Sequence, residues 1–327
     1  MRALFAIFGA SIFAVAACGA RSSLRVDERI RPDAGPDVVV EDVVDAGPDV
    51  FDAPPDVIEE PDVIEEPPPD ECALDAGITY VYLITSQNEL ARFHPPNGPI
   101  DIIGPIACPV ADPDQDTPFS MAVDRAGIAY VLFQFGEVFR VSTATASCKP
   151  TTFVPDQQGL HHFGMGYSAN VSDPGETLYV ASSNGSTTEN ALGIIDTTTF
   201  QLSLVGTFDQ MIGNAELTGT GDGHLYAFGI DNDNAIIHLA EIDKQTAHVI
   251  GDTFITLPTG TESIQAWAFA FWGGDFYFFT STATMIGDPP SSIVSRYHPG
   301  DPPAAQLVTT FNGNIVGAGV STCAPQQ

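Results

Sequence analysis

The stretch Ala129-Tyr130-Val131-Leu132 has counterparts at Thr79-Tyr80-Val81-Tyr82, Leu178-Tyr179-Val180-Ala181, Leu225-Tyr226-Ala227-Phe228 and Phe276-Tyr277-Phe278-Phe279. The tyrosines Tyr80, Tyr130, Tyr179, Tyr226 and Tyr277 are separated by 50, 49, 47 and 51 residues. A second matching segment follows each one: Leu90 to His94, Val138 to Ser142, Gly193 to Asp196, Leu239 to Asp243 and Val294 to His298. Most of these end in a Pro, Thr or Gly turn before another apolar run. A small, apolar segment precedes four of the tyrosines, at Phe119 to Val123, Phe163 to Tyr167, Ala215 to Gly219 and Trp267 to Phe271.

Four short strands repeated every roughly 40 to 50 residues form the unit of an all-β propeller blade. The first unit, starting near Ile78, has no inner strand of its own, while the chain ends in an unused one, Ile315-Val316-Gly317-Ala318-Gly319-Val320-Ser321. If the last strand completes the first blade, the ring closes with no free edge and the count is five. A sixth blade requires one hidden in the irregular stretch from Gly206 to Ala215. Alternation such as Leu178 and Val180 against Tyr179 and Ala181 predicts strands covered on both faces, with the tyrosines as packing residues.

The other end of the chain reads differently. Met1-Arg2 is followed by an apolar run from Ala3 to Ala17, shorter than the roughly 20 residues a spanning helix needs and matching the core of a signal peptide. It ends Val15-Ala16-Ala17-Cys18-Gly19, which resembles the lipobox of bacterial lipoproteins. That resemblance implies cleavage before Cys18, acylation of its thiol and anchoring to a membrane. Gly19, in place of an inner-membrane retention aspartate, points to the outer membrane, facing periplasm or cell surface. Residues 1 to 18 are therefore expected to be signal peptide and lipidated cysteine.

Residues 19 to 71 are expected to be a disordered linker. Asp33-Ala34-Gly35-Pro36-Asp37-Val38 recurs at Asp45 to Val50, Pro55 to Glu60 recurs at Pro61 to Glu66, and no basic residue occurs from Asp33 to Glu71. Such a segment buries too little to offset chain entropy, and at about 3 Å per residue it spans up to roughly 150 Å. Residues 72 to 327 form the propeller domain.

With 11 Lys and Arg against 42 Asp and Glu, net charge −31, the chain lacks the basic stripe that phosphate backbones require, so nucleic acid is not expected as a partner. Beyond Cys18 four cysteines remain, and export favours disulfides. Ring closure brings Cys323 to the start of the first blade near Cys72, which leaves Cys108 with Cys148. The second pair joins a loop after one outer strand to the next outer strand, and it needs that loop to fold down.

The chain contains no Gly-x-Ser-x-Gly elbow, His-Glu-x-x-His or phosphate loop in its globular part. Propeller glycosidases need two acids on the inner strands, where this sequence offers Glu216, with Asp124 just past another. Glu216 is the candidate for catalysis. Long connections on one face bring His161, His162, Glu262, Gln265 and Trp267 together as candidate ligand-binding residues. Asp112, Asp114 and Asp116, and Asp231 with Asp233, are candidate calcium ligands that lack the glycine and glutamate of a calcium loop. No other cofactor is expected.

The Ile195-Asp196-Thr197 and Ile242-Asp243-Lys244 turns after a strand-Tyr-strand unit resemble bacterial propellers with WD40-like, PQQ-like or YVTN-like repeats. The Trp-Asp dipeptide and regular tryptophans of two of these are missing, so the resemblance implies neither quinone nor catalytic residues. The expected function is a lipid-anchored envelope protein presenting a propeller as a binding module for protein or glycan. The rival readings are an extracellular hydrolase or lyase and a structural subunit of an envelope complex.

Overall fold

The computed structural model describes residues 72, 80–183, 186–231, 236–259, 264–282 and 291–327. The signal peptide, Cys18, the linker, Glu262 and Asp233 lie outside the described residues, as does the side chain of Asp231.

Among the described residues, twenty strands form five four-stranded antiparallel sheets. Blade 1 runs outward from β20 (Ile315–Gly319) through β1 (Val81–Thr85) and β2 (Glu89–Phe93) to β3 (Ile100–Pro105). Blade 2 is β4 (Pro118–Val123), β5 (Ile128–Phe133), β6 (Val138–Ser142) and β7 (Cys148–Pro150). Blade 3 is β8 (Phe163–Ala169), β9 (Glu176–Ser182), β10 (Ala191–Ile195) and β11 (Leu202–Thr207). Blade 4 is β12 (Asn214–Gly219), β13 (Leu225–Asp231), β14 (Ile236–Ile242) and β15 (Val249–Phe254), and blade 5 is β16 (Ile264–Trp272), β17 (Asp275–Thr282), β18 (Ser292–Tyr297) and β19 (Gln306–Phe311).

The terminal strand pairs antiparallel with β1, placing Tyr82 opposite Gly319 and Leu83 opposite Ala318. The ring is therefore closed by the two ends of the domain, as the spare terminal strand predicts, and the count is five. Residues 206 to 215 hold no further blade: they are the end of β11, a connection and the start of β12. Each innermost strand packs on the innermost strand of the next blade all the way round. The buried side chains fall into five clusters, one in each cleft between neighbouring blades. This is why β5, β9 and β17 are buried on both faces and read as continuous apolar runs instead of alternating ones.

The repeating tyrosine marks one register position, opposite the fourth residue of the inner segment: Tyr130 faces Ala122, Tyr179 faces Gly166, Tyr226 faces Thr218 and Tyr277 faces Ala270. In blade 1 that position belongs to Tyr82, opposite Gly319, and not to Tyr80, which precedes the strand. The sequence period is right to within two residues, but the landmark is displaced because two tyrosines stand side by side there. Tyr82, Tyr130, Tyr179 and Tyr277 are buried packing residues.

Both disulfides form, Cys72 with Cys323 and Cys108 with Cys148. The second does not depend on the loop alone. Strand twist tilts each outer strand until its far end lies beside the outer turn of the next blade: a Cβ on Gly104 of β3 would sit 3.7 Å from Ala146, and one on Gly206 of β11 would sit 2.9 Å from the Thr246 carbonyl. Cys108, three residues past β3, is thereby level with Cys148.

A ring of five brings the inner strands very close. A Cβ on Gly164 of β8 would lie 2.1 Å from the Ala215 carbonyl oxygen of β12, and one on Gly219 would lie 2.2 Å from that of Tyr167. Both obstacles are backbone and cannot rotate away. Gly164→Ala is expected to cost about 3 kcal/mol or more in a denaturant titration, at the upper end for overpacking. Gly251→Ala on the outer strand β15, where nothing lies within 4 Å of the added methyl, is expected to change stability by less than about 0.5 kcal/mol.

Candidate functional site: a cup at one end of the ring axis

The connections between blades and those between each blade's second and third strands emerge on one face. There the inner strands open into a cavity of about 200 Å³. Three of its lining residues, Phe119, Gln265 and Val316, are places where an inner strand carries one residue more than its partner. Pairing jumps from Pro118↔Phe133 to Ser120↔Leu132, from Ile264↔Thr282 to Ala266↔Ser281, and from Gly317↔Ile84 to Ile315↔Thr85. A bulge releases its residue from the ladder and re-aims the side chain. Here all three bulged residues line the same opening.

The rim is tied together by hydrogen bonds that pass from blade to blade. His162 Nε2 lies 2.8 Å from the Gln134 carbonyl oxygen and donates to it, since a carbonyl only accepts. The His162 ring stacks on Phe119 with centroids 4.5 Å apart. Ser183 N–H donates to the His162 carbonyl at 2.9 Å, the Ser183 hydroxyl to Asn214 Oδ1 at 3.3 Å, and Trp267 Nε1 to the Asn214 carbonyl at 3.1 Å. The chain runs from blade 2 through blades 3 and 4 to blade 5 and fixes where Gln134, Asn214 and Trp267 stand.

Glu216 makes the floor. It reaches from blade 4 to blade 2, where the Ser120 hydroxyl donates to its Oε2 at 2.7 Å. A side chain at residue 164 would meet its Cα at 2.6 Å, so the glycine lets β12 lie this close to β8. The Met165 N–H donates to Ser120 Oγ at 3.2 Å, and it also helps the carboxylate. Burial outweighs both donors and pushes the Glu216 carboxyl well above its ordinary range.

Of the residues singled out in the sequence, Gln265 and Trp267 line the cup and Glu216 closes it. Gln265 belongs to the bulged start of β16 and not to the preceding loop. His162 supports the wall from behind Phe119. His161 is turned outward and pairs with Asp156, Nδ1 to Oδ1 at 2.7 Å. Phe119, Gln134, Ser183, Asn214 and Val316 were not legible as site residues. The signal for Phe119 and Val316 is the register: each is the residue three before the one facing the repeat tyrosine, the place held by Trp267 in blade 5.

The acidic stretch at 112 to 116 forms a turn. Asp112 carboxylate oxygens accept from the Asp114 N–H at 3.3 Å and from Gln115 Nε2 at 2.6 Å, while Asp116 is buried and accepts the Phe135 N–H at 2.9 Å. Asp114 and Asp112 thus do not converge with Asp116 on one point, and among the described residues no group of three or more His, Cys, Asp or Glu is placed to hold a metal ion.

The opposite end of the axis is covered. After β20 the C-terminal tail crosses beneath the ring: Thr322 Oγ donates to Glu176 Oε2 of blade 3 at 2.6 Å and accepts from Arg125 Nε of blade 2 at 2.7 Å. The Pro325 carbonyl accepts from Gly273 N–H of blade 5 at 2.7 Å, and a Cβ on Gly221 of blade 4 would collide with the Thr322 carbonyl at 2.3 Å. Cys323, within this tail, is bonded to Cys72.

Comparison with protein-family models gives no match, and comparison with curated proteins gives none. Solved structures with a similar backbone include the mitotic checkpoint complex (12% identity, TM-score 0.40, 88% of this chain and 93% of that one). They also include the Dos1 propeller (11%, 0.37, 75% and 71%) and a luciferin-regenerating enzyme (13%, 0.40, 75% and 80%). At this distance the likenesses carry nothing about ligand or reaction.

Proposed function

We propose that this chain is a lipid-anchored envelope protein that presents the cup of a five-bladed propeller as a binding module for protein or glycan. The observation that carries the reading is the set of three bulges whose released residues, Phe119, Gln265 and Val316, all line one opening. The inner strands of blades 3 and 4 pair with no such shift, so the fold does not require it. The exposed Phe135, Val154 and Met211 stand on connections of the same face and enlarge the surface a partner would meet. Two disulfides support export to an oxidising compartment. The lipobox-like run to Cys18 supports the anchor, and the acidic stretch after it supplies reach. A glycosidase needs a pair of carboxyls, and the described lining holds one, Glu216, which favours binding over hydrolysis.

In the source cell, the wild-type chain is expected to incorporate a fatty-acid label and fractionate with membranes, and Cys18→Ala to lose both. Protein and glycan arrays probed with the full-length chain are expected to give a ligand whose retention falls at least about tenfold in Trp267→Ala, the loss expected when an aromatic anchor is truncated. A soluble, unlabelled wild type removes the anchor, and ligand retention indifferent to Trp267 removes the cup.

A further inference from the structure

The chemistry of the cup narrows the ligand further, and this step rests on the cup being the binding site. Its polar wall consists of Gln134, Asn214, Gln265 and Ser183, all uncharged, and no Lys or Arg is among its described lining. The one carboxyl of that described lining, Glu216, accepts from Ser120 at the floor. Trp267 and Phe119 provide aromatic surface between these groups. The opening, about 200 Å³, is smaller than the roughly 300 to 1,000 Å³ of drug-sized sites and matches a single ring.

Each ligand class makes a different demand on such a wall. An anion needs charged donors to offset desolvation, and here it would also meet a chain of net charge −31. A cation is drawn by that field and by aromatic faces, but the carboxyl at the floor is already engaged by the Ser120 hydroxyl and the Met165 N–H. Amide side chains carry both donors and acceptors. That combination matches neighbouring hydroxyls, each of which gives one hydrogen bond and accepts another. The aromatic surface matches the C–H face of a saturated ring.

We infer that the cup binds an uncharged sugar ring, its hydroxyl edge on Gln134, Asn214 and Gln265 and its apolar face on Trp267 or Phe119. The site admits a free monosaccharide or the end of a neutral glycan, which share this chemistry.

The test is calorimetric titration of the detergent-solubilised full-length protein with glucose, galactose, mannose and N-acetylglucosamine at pH 5, 6 and 7, with galacturonate and choline as charged probes. At least one neutral sugar is expected to bind with a Kd of about 1 mM or tighter, constant within about twofold across that range. Gln265→Ala and Trp267→Ala are each expected to weaken it at least about tenfold without changing the far-ultraviolet circular dichroism; Gln265→Ala, the smaller change, serves should Trp267→Ala misfold. Absence of heat with all four sugars at about 10 mM overturns the inference. So does galacturonate binding as tightly as galactose, or choline binding alone with affinity that rises with pH. A protein or cationic ligand that still depends on Trp267 would overturn the sugar inference and leave the cup as the binding site. Ligands of every class indifferent to both variants would overturn both.

Discussion

Serine at both Cys72 and Cys323 is expected to lower the unfolding free energy by about 5 kcal/mol, more than the about 4 kcal/mol expected for serine at both Cys108 and Cys148. The larger bond closes a loop with a sequence separation of 251, the smaller one of 40, and the entropy that a cross-link removes from the unfolded chain grows with the logarithm of loop length. Structure adds to the difference. Cys323 holds the tail that follows β20, and β20 is the strand that turns blade 1 from an open three-stranded sheet into a closed one. Without the bond, detachment of that strand exposes the edge of β1 and opens the ring, so limited proteolysis should cut first near Gly313, just before β20. Chemical denaturation of both double-serine variants measures the ordering. A loss at Cys72 and Cys323 equal to or smaller than that at the other pair would mean that ring closure by the tail does not limit stability.

Ring closure is also the part of the architecture that was most legible in the sequence, and the reason is arithmetic. A unit with one strand too few at the start and a spare strand at the end leave a single way to avoid two free edges. The inner strands were legible because small residues cluster there, as in Gly164-Met165-Gly166 and Gly317-Ala318-Gly319. Less was legible where the answer depends on register or twist. Tyr80 and Tyr82 differ by two, so both fit the period and both point to the same side of a strand; only the pairing of Tyr82 with Gly319 separates them. The bulges at Phe119, Gln265 and Val316 leave no trace in composition, which is why the loop reading placed Gln265 one element too early. Glu216 was recognisable as an acid on an inner strand, but its reach to Ser120 of a blade two places away exists only once the ring has formed. Asp116 looked like a cation ligand because acids alternate around it, whereas burial against the Phe135 backbone turns it into the fold. Nothing in the sequence joins Arg125, Glu176 and Thr322, which are brought together only once the tail crosses under the ring.

That last cluster gives the fold a dependence on pH whose sign can be worked out. Burial pushes the Glu176 carboxyl from its ordinary 4.5 up to about 7, against the opposing pull of the Thr322 hydroxyl, the Arg125 backbone N–H and, weaker, the Arg125 guanidinium with Nε 3.7 Å away. Between these two values the folded protein keeps a proton that the unfolded chain has lost. The unfolded state therefore binds fewer protons, and unfolding becomes easier as pH rises. The stabilisation is complete below about pH 4.5, falls through neutrality and is gone above about pH 7. At 1.36 kcal/mol per unit it amounts to about 3 kcal/mol, or roughly 6 to 10 °C in melting temperature for a domain of this size. Burial raises the Glu216 carboxyl as well, which adds a slope of the same sign. Glu176→Gln keeps an uncharged group of the same shape between Thr322 and Arg125 and removes the titration, so thermal melting from pH 5 to 8 should be visibly flatter in this variant, the Glu216 contribution remaining. Wild-type melting that rises across this interval, or an unchanged slope in Glu176→Gln, would show that the carboxyl under the ring is ionised in the folded state. The tail would then be held by an ion pair with Arg125 instead of by a neutral acid, and mild alkali would no longer be expected to loosen it.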